Sequence, residues 1–172
     1  MKHTISALVE NHSGVLSRIS GLFSARGFNI DSLTVGETED PTVSRMTIVV
    51  EGDERTLEQV KKQLNKLIDV ITVQDLTKSR FIDRELILIK VGTSAPNDRA
   101  QIIEIADTMK ADVVDLGVDT ITIEATGETQ KIDNLVELLR QFGIKEIVRT
   151  GKIAMSLDPK EKGSKTSKEE EE

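Results

Sequence analysis

Apolar and polar residues alternate from the start of the chain: Ile5, Ala7 and Val9 take one side, Thr4, Ser6 and Glu10 the other, with Leu8 a mild exception. That period of two marks a half-buried strand. From Gly14 the period lengthens, and Val15, Leu16, Ile19, Leu22 and Phe23 fall at helical spacing as one expected buried stripe. Ser13 is placed as the N-cap of this helix and Gly27 as its C-terminal stop. A second strand opens near Asn29, and residues 43–50 (VSRMTIVV) alternate as a third. Asp53 then caps a helix whose stripe is Leu57, Val60, Leu64, Leu67 and Ile68, with Lys61, Lys62 and Lys66 on its wet side, and Val70 to Leu76 follows as a fourth strand.

The order βαββαβ, with two helices of about four turns, favours helices packed on one face of a four-stranded antiparallel sheet, the ferredoxin-like arrangement. The same order returns in the second half. Its elements are expected at Glu85 to Val91, Pro96 to Lys110, Asp112 to Leu116, Thr120 to Ala125, Gln130 to Phe142 and Ile144 to Thr150. The fold class is therefore α+β, two tandem ferredoxin-like βαββαβ domains over residues 1–77 and 84–157. Residues 78–83 are expected to be a linker, and 158–172, with its Lys and Glu runs, a disordered charged tail.

The repeat is one of topology. Where the first copy turns from strand to helix through Asn11, His12, Ser13 and Gly14, the second reads Gly92, Thr93, Ser94, Ala95, Pro96 and Asn97. The first turn leaves helix-start N–H groups unpaired, an arrangement that attracts an anion. Only the first domain carries this candidate site.

Composition narrows the function. A net charge of −7 offers no footprint for a phosphate backbone, and an aromatic content of 2%, without Trp or Tyr, removes base-stacking platforms. Nucleic acid is excluded as a partner on those grounds. No apolar run approaches the roughly 18 residues of a membrane span, and the start goes straight into a strand without a signal-peptide pattern; the expected location is the cytoplasm. The absence of Cys removes disulfides, thiolate zinc sites and thiol nucleophiles together. His12 beside Ser13 has no placed acid or oxyanion motif and is read as a solvent-facing loop residue. Glu37, Glu39 and Asp40 are read as a solvated turn, and no metal is expected. Arg18 and Arg45 are either partner-facing or plain surface residues.

The run ENHSGVLSRISGLFSARGFNIDSLTV, followed by SRMTIVV, resembles the small regulatory subunit of acetohydroxyacid synthase (acetolactate synthase). The likeness spans roughly residues 2–157 and is most specific over the first 50. The first domain resembles an ACT domain, an amino-acid-sensing module, and the second that family's C-terminal domain. The resemblance implies a chain without an active site that binds the large catalytic subunit, raises its activity and confers feedback inhibition by a branched-chain amino acid, usually valine. Thiamine diphosphate, Mg2+ and often FAD are then cofactors of the catalytic subunit and none belongs to this chain. The reaction joins two pyruvates, or pyruvate and 2-ketobutyrate, with loss of CO2. By position, the effector site falls on Asn11, His12, Ser13, Gly14, Val15 and Leu16 of one subunit and on Asn29 and Ile30 of its partner, so a homodimer is expected. A free-standing ACT-type sensor acting on another protein is the alternative. An acylphosphatase on this topology needs an Arg in the first turn, and none comes before Arg18.

Overall fold

Residues 1–157 are described in the computed structural model. β1 (Lys2–Glu10) lies at the heart of the first sheet, with Ile5 opposite Ile48 and Ala7 opposite Met46 of β3 (Val43–Glu51). These residues face the apolar stripes of α1 (Val15–Ala25) and α2 (Glu54–Leu64). Phe23, the largest fully buried side chain there, contributes about 1.5–3 kcal/mol by leaving water. With β2 (Ile30–Glu37) and β4 (Val70–Asp75), the order across the sheet is β2-β3-β1-β4, and all pairings are antiparallel. β2 therefore lies at an edge.

The second domain repeats the plan with β5 (Phe81–Gly92), α3 (Asp98–Met109), β6 (Asp112–Leu116), β7 (Thr120–Gly127), α4 (Thr129–Leu139) and β8 (Ile144–Arg149), in sheet order β6-β7-β5-β8. Ile87, Ile89 and Val91 of β5 and Ile121 and Ile123 of β7 close against Ile102 and Ala106 of α3 and Ile132, Leu135 and Leu139 of α4. The expected ferredoxin-like pair is present. No described helix is long and apolar enough to cross a membrane.

Local departures have local causes. Gly14, not Ser13, is the N-cap of α1, because the turn enters the helix at φ 88°, where Gly is unstrained and Ser is not. Gly27 does end the helix, at φ 68°. Leu16 leaves the buried stripe and is 48% exposed, since Val15, Ile19, Leu22 and Phe23 already fill the face toward the sheet. α2 stops at Leu64, so the helical period no longer governs Ile68, which is 93% exposed, while Leu67 still packs on the core. Asp53 caps α2 as expected, accepting the Thr56 N–H at 2.7 Å. α3 starts at Asp98, two residues past Pro96, because the Asp98 carboxylate accepts the Ala95 N–H at 2.7 Å and closes the preceding turn.

The largest difference lies between the sheets. Of the linker expected over 78–83, Phe81–Asp83 are already strand, because β5 begins before the second sheet does. Its first four residues pair instead with β9 (Ile153–Ser156), placing Phe81 opposite Ser156 and Arg84 opposite Ile153. This two-stranded ribbon lies against the first sheet's outer face, where Ala154 is buried and β9 contacts β1. Thr4, Ser6, Thr47 and Val49, which point away from α1 and α2, are consequently buried as well. The tail expected over 158–172 lies outside the described residues.

Candidate functional site

The turn after β1 is pinned from both flanks. Glu10 donates its backbone N–H to the Asp69 carbonyl at 2.9 Å, and Asn11 donates its own to the Thr42 carbonyl at 2.7 Å. The Asn11 side-chain amide donates to Glu37 at 3.1 Å and to the Pro41 carbonyl at 2.9 Å, tying the turn to the far end of β2. Beyond it, Gly14 swings into α1, and the Val15 N–H reaches the His12 carbonyl only at 3.5 Å. The first amides of α1 thus point out of an exposed turn, with the partial positive charge of a helix start. A carboxylate fits such an end, at about 0.3–1 kcal/mol or somewhat more when half-enclosed.

A charge network braces the turn from below. Asp69, buried just before β4, accepts Arg18 Nε at 2.7 Å and lies 3.1 Å from His12 Nε2, which also meets Glu10 at 3.0 Å. Arg18 and its hydrogen bond hold the Asp69 carboxyl below its ordinary pKa. The Ser13 carbonyl and the Glu10 carboxylate raise that of His12. His12 Nδ1 meets the Ser13 carbonyl at 3.1 Å and both carboxylates take the other nitrogen, an arrangement that activates no hydroxyl. Glu10, His12 and Asp69 could offer three metal-ligating atoms within 4.8 Å of one another. Arg18 already supplies the positive charge at Asp69, so the cluster reads as an ion-pair network.

Asp69 is the participant that sequence reasoning missed. The signal was there: a lone carboxylate inside the apolar run Leu67 to Val73. The acidic loop behaves as a turn, as expected, with Asp40 accepting the Thr42 N–H and hydroxyl at 2.9 and 2.7 Å. Arg45 is occupied by the Ser6 hydroxyl at 3.0 Å.

Within one chain the expected site comes together only in part. Asn11, His12, Ser13, Gly14, Val15 and Leu16 form one turn, but Val15 is 4% exposed, its side chain committed to the core, and cannot serve as a wall. Leu16 can. Asn29, which donates to Asp31 at 3.2 Å, and Ile30 sit where β2 begins, beside the start of β1. β2 runs eight residues to Glu37, so at about 3.3 Å per residue the two groups lie on the order of 25 Å apart.

A family model described as "AHAS small subunit-like ACT domain" matches residues 5–72, and one described as "Small subunit of acetolactate synthase" matches residues 84–158. The probable acetolactate synthase small subunit of Methanothermobacter thermautotrophicus is 51% identical over 164 residues, 95% of each chain. This chain belongs to the acetolactate synthase small-subunit family. The family's Bacillus subtilis member is 50% identical over 165 residues, again 95% of each chain. A crystal structure of the Thermotoga maritima acetolactate synthase small subunit, 37% identical, superposes with a TM-score of 0.83 over 92% of this chain and 99% of that one. As an acetolactate synthase small subunit, the chain is regulatory, its partner a catalytic large subunit. The resemblance of the first domain to an ACT domain is borne out.

Proposed function

We propose that this small subunit, acting in the cytoplasm, raises the activity of its catalytic subunit and makes it subject to feedback inhibition by a branched-chain amino acid, valine first among them. The thiamine diphosphate, Mg2+ and FAD of the reaction reside on the catalytic subunit. The effector site is shared between two copies of this chain. One observation carries this reading: the two halves of the site stand at opposite ends of the same edge strand, and Asn11 is tied to that strand's far end through Glu37.

If two copies pair their β2 edges antiparallel, each copy's Asn29 and Ile30 arrive beside the other's Glu37 and Asn11. A two-fold axis does this twice and covers an otherwise open strand edge. The helix-start amides of Gly14 and Val15 then receive the effector's carboxylate. The oxygens of Asn11 and Asn29 accept from its ammonium, and Leu16 and Ile30 flank its side chain. Enclosure matters because a micromolar ligand of roughly eight non-hydrogen atoms needs about −1 kcal/mol per atom, close to the limit for small ligands.

The test is a calorimetric titration of the full chain with L-valine, with D-valine and Asn11→Ala as controls, alongside sedimentation. Saturable, L-specific binding lost in Asn11→Ala, by a chain that sediments as at least a dimer, supports the reading. A monomer that binds L-valine with micromolar affinity refutes the shared site.

A further inference from the structure

β2 is held a second time, from its other side, by the second domain. On leaving β8 the chain turns at Gly151 (φ 82°) and lays Lys152 across the outer face of β2. The Lys152 N–H donates to Ser32 Oγ at 3.0 Å, and its carbonyl accepts from Thr34 Oγ1 at 2.9 Å. Ser32 and Thr34 are two apart on one strand, so one peptide segment is gripped by two hydroxyls on the same face. The Lys152 side chain is anchored in turn by Asp83 of β5 at 2.8 Å, with the two side chains 19% and 17% exposed.

Two features make this contact more than incidental. A Cβ on Gly151 would lie 2.6 Å from Ser32 Oγ, so the approach exists only because residue 151 has none. Beside it the domains are not packed solid: a cavity of about 410 Å³ separates Asp31, Leu33 and Val49 from Glu85, Asp133 and Arg149. A displacement of β2 meets open space there and meets the second domain at Lys152.

We infer that Gly151 and Lys152, gripped by Ser32 and Thr34, form a clasp that couples the position of the β2 edge to the second domain, making these four positioning residues for the regulatory signal. β2 carries Asn29 and Ile30 at one end and Glu37 at the other. For its regulatory meaning the clasp rests on the effector site proposed above; its mechanical coupling does not. Ligand closing Asn29 and Ile30 of one copy onto the Asn11 turn of the other shifts the strand, and the clasp carries that shift into β9 and the β5 segment it pairs with. The coupling is reciprocal, so a catalytic subunit that restrains the second domain alters effector affinity through the same contact.

The experiment compares the full wild-type chain with Ser32→Ala/Thr34→Val, which removes both gripping hydroxyls at nearly constant volume, and with Thr34→Ser alone, which keeps a hydroxyl at both positions and is the conservative control. Amide hydrogen exchange is followed across residues 30–37 and 151–156, with and without L-valine, and inhibition is measured on the holoenzyme reconstituted with the catalytic subunit. In wild type, valine slows exchange in both segments. In the double variant valine binding stays within about threefold, protection stops at β2, and maximal inhibition falls by roughly half or more; Thr34→Ser behaves as wild type. Protection that still reaches residues 151–156 in the double variant, with full inhibition, overturns the clasp. Should wild type bind no valine, the effector reading fails on its own, and exchange without ligand decides the clasp: about tenfold faster at residues 151–156 in the double variant upholds it, and unchanged exchange overturns it.

Discussion

Gly14 and Gly21 sit seven residues apart, one at the cap of α1 and one inside it, and the same substitution should move stability in opposite directions. At Gly14 the backbone is at φ 88°, ψ −14°, a conformation that costs an L-residue about 1–2 kcal/mol. The added methyl meets Arg18 Nη1 at 3.1 Å, but that is the tip of a flexible side chain. Arg18 holds Asp69 through Nε, so the tip can yield without breaking the ion pair. Backbone strain, not collision, sets the loss for Gly14→Ala. Gly21 is exposed in mid-helix with nothing within 4 Å of a built Cβ, so Gly21→Ala should gain about 0.5–1 kcal/mol by helix propensity. The two variants should differ by about 1.5–3 kcal/mol, which at a urea slope of about 1–3 kcal/mol per molar separates their midpoints by roughly 0.5–3 M. Far-ultraviolet circular dichroism is the probe, since the chain has no Trp or Tyr. Coincident midpoints, or a Gly14→Ala protein more stable than wild type, would refute the argument from φ.

Phe23→Ala removes the largest side chain of the first core and should cost about 3–5 kcal/mol; a thermal shift of less than a few degrees would show that the site collapses around the gap. The ion-pair network predicts a pH profile. The pKa of His12 lies above its ordinary 6.5, so its stabilising contribution is full below that value and is lost as pH rises through the raised one. That of Asp69 lies below its ordinary 3.8, so its contribution is present above 3.8 and is lost as pH falls through the lowered one. Of these two groups only His12 changes charge between about pH 5 and pH 8, and the melting temperature should fall across that range more steeply in wild type than in His12→Gln; parallel profiles would show that His12 does not take part.

Within each sheet, strands and helices were legible because burial there follows from period alone. Ile5, Ala7 and Val9 alternate, and Ile19, Leu22 and Phe23 recur on one helical face, whatever lies elsewhere in the chain. The β5–β9 ribbon was not legible. Its two segments are some seventy residues apart, and a four-residue strand such as Ile153–Ser156 is too short for a period to stand out. The cap of α1 was misjudged by one residue because Ser and Gly are both acceptable N-caps, and only the direction from which the turn enters decides between them. Of the candidate site, the turn and its exposed amides followed from Asn11 to Gly14. The role of Asp69 did not, since Arg18 and His12 are more than fifty residues away in sequence and meet it only through the fold.

The ribbon over the outer face of the first sheet also bears on how the protein is made. Thr4, Ser6, Thr47 and Val49 emerge from the ribosome within the first third of the chain, but the strand that covers them, β9, emerges roughly a hundred residues after β3. At about 5–20 residues per second, the nascent first domain spends on the order of 5–20 s with its helices docked and its other face bare. During that interval two neighbouring nascent chains on one message offer each other both an open β2 edge and an uncovered sheet face. A first domain produced without β9 keeps that exposure for good, so the natural unit of folding here is the whole described chain, even though each sheet has a core of its own.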